Sequence, residues 1–183
     1  MSLKVLAISG SLRAASVNTA LLRAAVTLAP PGMEIFVYAD AGALPHFNPD
    51  EQTPSPAVER WQALLLGCDA LLIACPEYAH GLPGSFKNAL DWVVGTVGLE
   101  GKPVALLNSS PRASHAADAL AEVVATMGWC IVEPASVRIP CARKDIDPQA
   151  IDVTPEFAEP LLAALLALAK AAQHHIAGRF QPS

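Results

Sequence analysis

A chain of 183 residues with 52% hydrophobic residues can bury a sizeable core and is short for two ordinary domains, so a single domain is expected. A net charge of -5 without any Lys/Arg run argues against the broad positive footprint of nucleic-acid binding, while a single local arginine can still meet a small anion. Cys68, Cys75, Cys130 and Cys141 form neither a CxxC pair nor a compact framework, which fits a reducing cytoplasm.

The first apolar run, Lys4 to Ser9, reads as a strand and follows no basic leader or long apolar segment, so no signal peptide is expected. Helical spacing follows from Asn18 to Leu28, then a second strand from Glu34 to Tyr38. Asp40 to Pro56 holds four prolines and reads as a long loop over the sheet. Ala57 to Leu66 is helical, Ala70 to Cys75 a third strand and Ser85 to Val94 a helix. Val104 to Asn108 is a fourth strand, Ser114 to Met127 a helix, and Cys130 to Ile139 a fifth strand interrupted at Pro134. A last helix runs from Pro155 to about His175, with Thr154 as N-cap and proline at the first helical position. Its apolar stretch, Leu161 to Ala172, is too short for a bilayer span, so no membrane contact is expected. Alternating βα units with nearly continuous apolar strands predict an α/β fold, a parallel sheet covered by helices on both faces.

The first strand ends in Ser9-Gly10-Ser11-Leu12-Arg13-Ala14-Ala15-Ser16-Val17-Asn18, with a helix beginning at Val17 or Asn18. A strand feeding a helix N-terminus presents unpaired backbone N–H groups and the positive end of the helix dipole; Ser11, Ser16 and Asn18 add donors and Arg13 a charge. An isolated Ser16 or Asn18 would be read as a plain helix cap, but the combination with Gly10 and Arg13 points to a terminal phosphate. The lysine and hydroxyl of G-x-x-x-x-G-K-[ST] are missing, as is G-x-G-x-x-G, which favours a mononucleotide over ATP or a dinucleotide.

The third strand leads into Pro76-Glu77-Tyr78-Ala79-His80-Gly81-Leu82-Pro83-Gly84, and ligands of open α/β sheets sit at the carboxyl ends of strands where their order reverses. This loop offers N–H groups and the Tyr78 face to a flat ring. Lys87 and Asp91 read as an i, i+4 pair, Phe86, Leu90 and Trp92 as core or interface residues, and His80 as a loop histidine. His115, His174 and His175 have no metal-ligand spacing, so no metal is assigned.

Gly10-Ser11-Leu12-Arg13 with Ser16 and Asn18, followed by Pro76-Glu77-Tyr78 through Pro83-Gly84 and Lys87-Asn88-Ala89-Leu90-Asp91-Trp92, resembles the NADPH-dependent FMN reductase family, with its flavin, quinone, azo-dye and chromate reductases. The resemblance runs from about Lys4 to Ile139. It implies a flavodoxin-like three-layer sandwich with a five-stranded parallel sheet in order 2-1-3-4-5, assembled as a homodimer or homotetramer. It further implies FMN, with NADPH or NADH as co-substrate and a small molecule as electron acceptor. By position, Ser11, Arg13, Ser16, Val17 and Asn18 would hold the FMN phosphate. Pro76, Glu77, Tyr78 and Ala79 would border the isoalloxazine, together with Ser109 and Ser110. The implied chemistry is hydride transfer from nicotinamide to flavin and then electron transfer to the acceptor, with no protein nucleophile; backbone N–H groups from Tyr78 to Gly81 would stabilise negative charge on the ring. The alternative is a flavodoxin-type electron carrier that does not itself oxidise a nicotinamide. Ala79 departs from the asparagine of many members, and the loop Asn108 to His115 lacks a glycine pair that many relatives carry there.

Overall fold

The computed structural model describes residues 2–51, 53–142 and 147–179. Strands and helices alternate as β1 (Leu3–Ser9), α1 (Val17–Thr27), β2 (Met33–Tyr38), α2 (Pro56–Gly67), β3 (Ala70–Ala74), α3 (Gly84–Asp91), β4 (Pro103–Leu107), α4 (His115–Thr126), β5 (Cys130–Ile131) and α5 (Pro155–Arg179). The sheet is parallel throughout, in the order β2-β1-β3-β4-β5. This is the flavodoxin-like arrangement expected from the sequence.

The strands are apolar on both faces because both faces are covered. Val5 and Ala7 of β1 join a core with Leu21 and Leu22 of α1 and Phe157, Leu161 and Leu165 of α5. Leu6 and Ile8 join the opposite core, with Trp61 of α2, Phe86 and Leu90 of α3, and Leu120 and Val124 of α4. Burying one such leucine or phenylalanine contributes about 1.5–3 kcal/mol, so packing on two faces holds the layers together. Caps set where two helices begin: Ser16 accepts from the Thr19 N–H ahead of α1, and Ser55 accepts from the Val58 N–H ahead of α2, where Pro56 takes the first turn.

The fifth strand is much shorter than the apolar run Cys130 to Ile139 suggests. Pairing with β4 stops at Ile131; Pro134, which has no N–H to donate, lies in a 3₁₀ turn over Glu133–Ala135, and an isolated bridge joins Asn108 to Arg138. α5 is longer than expected and ends at Arg179. Over Pro155–Gly178 it is long and apolar enough to cross a bilayer, unlike the shorter stretch that the sequence singles out, because helix extends on both sides of Leu161 to Ala172. Its stripe of Phe157, Leu161, Leu165, Leu168 and Ala172 is buried against the sheet, as in a core helix.

The proline-rich loop between β2 and α2 is held on α3. Asn88 accepts from the Phe47 N–H at 2.7 Å and donates to the Pro45 carbonyl at 2.9 Å, and the Trp92 indole donates to the same carbonyl at 2.8 Å. Phe47 meets Trp92 edge to face with ring centroids 5.2 Å apart. Lys87 and Asp91 pair along α3 as read from the sequence, a half-exposed contact worth at most about 1 kcal/mol.

Candidate functional site

The carboxyl ends of β1, β3 and β4 make one rim, since the chain passes from one side of the sheet to the other between β2 and β3, leaving β1 beside β3. The loop after β1 reaches this rim by close backbone approach. The Gly10 N–H donates to the Ala74 carbonyl at 2.9 Å, and a Cβ on Gly10 would lie 2.7 Å from Cys75 Sγ. Burial alone pushes the Cys75 thiol up to about 12, so it packs there as a neutral group.

Ser9, Ser11, Ser16 and Asn18 are buried polar residues at this turn. Ser16 Oγ accepts from the Thr19 N–H at 3.4 Å and keeps its own O–H for another acceptor. Among the described residues, the backbone N–H groups of Ala14 to Asn18 have no acceptor. The exposed Arg13 guanidinium has none either. Five N–H groups at the start of α1, two hydroxyls and one guanidinium form an anion cradle that a terminal phosphate fits. Ser16 also caps α1, a role that leaves its O–H available to another acceptor.

This cradle is tied to both other loops. Ser11 Oγ lies 3.5 Å from Tyr78 Oη, and Asn18 Oδ1 accepts from Ser109 Oγ at 2.9 Å. After β3, Tyr78 and Gly81 exchange both backbone hydrogen bonds at 3.0 Å, closing a two-residue turn with Ala79 at φ 49° and His80 at φ 60°. The N–H groups of Tyr78 and Gly81 are therefore taken, contrary to the expectation that the whole stretch faces a ring; those of Ala79 and His80 are unpaired among the described residues. Tyr78 is half-exposed and leaves an aromatic face open.

Glu77 turns away from the cradle to the next helix. Its Oε2 accepts from the Ala116 N–H at 3.0 Å in the first turn of α4. That bond, more than the nearby His115 and His80, holds its carboxyl below the usual 4.5 against partial desolvation. The loop after β4, without glycines, is shaped by side chains instead: Ser110 N–H donates to Asn108 Oδ1 at 3.0 Å, and Ser110 Oγ accepts from the N–H groups of Arg112 and Ala113 at 3.2 and 3.1 Å.

Between these loops lies a cavity of about 480 Å³ bordered by Asn18, Pro76, Glu77, Ser109 and Ser110. Arg13 and Tyr78 line an adjoining hollow of about 330 Å³, Ser11 and Arg13 a third of about 600 Å³, and Val17 is half-buried at the start of α1. Ser16 faces a larger hollow, about 660 Å³, bordered also by Ala14, Arg23, Asp147 and Asp152. Ala79 borders none of these hollows and projects at the turn. Arg112, and His115, which the sequence brings up only to assign no metal, line the 480 Å³ cavity with His80. Their signal was position alone, in a loop after a strand.

The sequence pattern of the NADPH-dependent FMN reductases matches residues 3–144. The chain belongs to the NADPH-dependent FMN reductase family. It is 39% identical over 154 residues to an NAD(P)H-dependent FMN reductase of Pseudomonas aeruginosa, covering 80% of this chain and 83% of that protein. A 2-hydroxy-1,4-benzoquinone reductase of a Burkholderia species is 39% identical over 114 residues, 60% of this chain and 62% of that one. In structure it resembles the flavoenzyme NAD(P)H:(acceptor) oxidoreductase FerB of Paracoccus denitrificans, with TM-score 0.77 and 27% identity over 94% of this chain and 98% of that one. Within the NADPH-dependent FMN reductase family, an anion cradle beside a ring-sized cavity is the arrangement a mononucleotide flavin requires.

Proposed function

We propose that this rim holds FMN, with the phosphate in the loop after β1 and the ring system between the loops after β3 and β4. As a member of its family the chain is an FMN-dependent NAD(P)H oxidoreductase that reduces quinones or flavins. FMN, when bound, supplies the redox chemistry, taking a hydride from the nicotinamide and returning two electrons to the acceptor.

The protein's own part is binding and orientation. Ser11, Arg13, Ser16 and Asn18, with the N–H of Val17, would hold the phosphate, and Pro76, Glu77, Tyr78, Ser109 and Ser110 would border the ring, with Ala79 meeting its edge through the backbone N–H alone. The free N–H groups of Ala79 and His80 would oppose negative charge at the ring edge. The observation that carries this reading is the set of unpaired donors from Ala14 to Asn18, joined to both other loops through Ser11–Tyr78 and Asn18–Ser109.

Assembly and location are part of the proposal. Leu12 and Tyr78 at the rim, Phe47 on the loop over α3, and Val94 and Val97 beyond α3 leave large apolar side chains exposed, as a homodimer or homotetramer interface needs. Among the described residues no disulfide joins the cysteines, as a reducing cytoplasm requires.

Two experiments test the reading. Arg13→Ala removes a charge-assisted contact worth about 1.5–3 kcal/mol, so its FMN dissociation constant should rise by about tenfold or more; unchanged flavin retention would remove Arg13 from the phosphate site. Anaerobic absorbance titration of the FMN-loaded protein with NADPH, and separately with NADH, should bleach the flavin band stoichiometrically. A bound flavin that neither donor bleaches would make the chain an electron carrier.

A further inference from the structure

α5 is the longest described helix, yet only 28% of its most apolar stretch is buried within the chain. Phe157, Leu161, Leu165 and Leu168 make its buried stripe. The other side is left to solvent. Glu159, Leu162, Ala163, Leu166 and Lys170 are all exposed, and with 3.6 residues per turn they fall on one face. Leu166 is 52% exposed and Leu162 38%, on a helix whose opposite stripe is fixed against the sheet. None of these five residues borders the hollows of the rim.

The order of charge along this face specifies what can cover it. Glu159 precedes Lys170 by about three helical turns, roughly 16 Å, with the two leucines between them. Among the described residues neither Glu159 nor Lys170 makes an ion pair. A second α5 laid antiparallel, about a two-fold axis level with Ala164 and Leu165, brings each Glu159 opposite the Lys170 of the other copy. The same axis sets Ala163 opposite Leu166 of the second copy and Leu162 opposite its Ala167. Each leucine then meets an alanine, so the helices can approach closely at the shallow crossing angle of antiparallel bundles. A parallel arrangement would set glutamate on glutamate and lysine on lysine. A lipid surface fits less well, because a membrane-binding helix flanks its apolar face with rows of Lys and Arg, and here Lys170 stands with Glu159.

We propose that the exposed face of α5 is a self-association surface on which α5 of a second copy of this chain docks antiparallel. One helix pair buries less than the roughly 800 Å² per partner of a standard interface, so the contact joins copies that are already paired. It therefore rests on the reading of the rim as an assembly surface, and it makes the closed particle a tetramer with two kinds of two-fold interface.

The test is sedimentation equilibrium of the FMN-loaded protein at micromolar concentration. The parent should have four times the chain mass. Lys170→Glu and Glu159→Lys, which set like charges against each other twice per interface, should each halve it, and so should Leu166→Asp. The double variant Glu159→Lys with Lys170→Glu restores complementarity with the signs exchanged and should return the parent mass. Circular dichroism and FMN retention should be unchanged in all four, since these side chains are exposed and away from the rim. A parent mass that neither Lys170→Glu nor Leu166→Asp lowers, or a double variant no heavier than the single ones, overturns the α5 contact. A dimer unaffected by every variant leaves the rim pairing standing, and a monomeric parent removes both. Cosedimentation of the parent with phosphatidylcholine–phosphatidylglycerol vesicles, abolished by Leu166→Asp without a change of mass, would overturn the proposal in favour of lipid.

Discussion

A left-handed backbone costs an ordinary L-residue about 1–2 kcal/mol, and Ala79 and His80 adopt it in succession. Asparagine tolerates this conformation, so Ala79→Asn should stabilise the protein by about 0.5–1 kcal/mol, read as a higher urea midpoint with an unchanged slope. The turn could not be read from Ala79-His80-Gly81, since neither central residue has the chemistry that announces such a turn. Glu77 leads to a pH dependence. Its folded acidity is strengthened, first by the Ala116 N–H, so its stabilisation is fully present above the usual 4.5 and is lost as pH falls through the lower folded value. Glu77→Gln should therefore melt below the parent at neutral pH, with the gap closing in acid below the ordinary carboxylate range. A gap that persists there would mean that size rather than charge matters at this position. Glu77 lies in the loop after β3, but its partner Ala116 is 39 residues away and no local pattern announces it.

The layered elements were legible because long apolar runs and helical spacing both report burial, which the two cores bear out. What local pattern could not reveal was pairing. Apolar residues from Cys130 to Ile139 suit a strand, yet Pro134 ends the ladder because hydrogen bonding, not hydropathy, defines it. The loop from Asp40 to Pro56 likewise gave no sign of its anchor, Asn88, whose amide meets Phe47 and Pro45 from a helix more than 40 residues on. Asn88→Ala leaves both backbone groups to water and should cost about 1–2 kcal/mol. Limited proteolysis should then cut between Phe47 and Glu51 faster than in the parent; an unaltered rate would show that Trp92 alone holds the loop.

For the molecule as a whole, a net charge of -5 coexists with a rim that carries the exposed Arg13 and Arg112. Local positive charge in a weakly acidic protein draws a small anion without inviting polyanions. The apolar side chains left exposed around that rim lead to an expected mass by light scattering of two or four times the 19.1 kDa chain; a monomer at micromolar concentration would remove the assembly from the proposal. Gly10 lies against Cys75 with no room for a side chain, and the Ala74 carbonyl holds its N–H. The two backbones touch there, so the span from the cradle at α1 to the turn at Tyr78–Gly81 does not depend on soft side chains. On the proposed reading it would act as a caliper of set opening, fixing the length between a ligand's anionic end and its flat end.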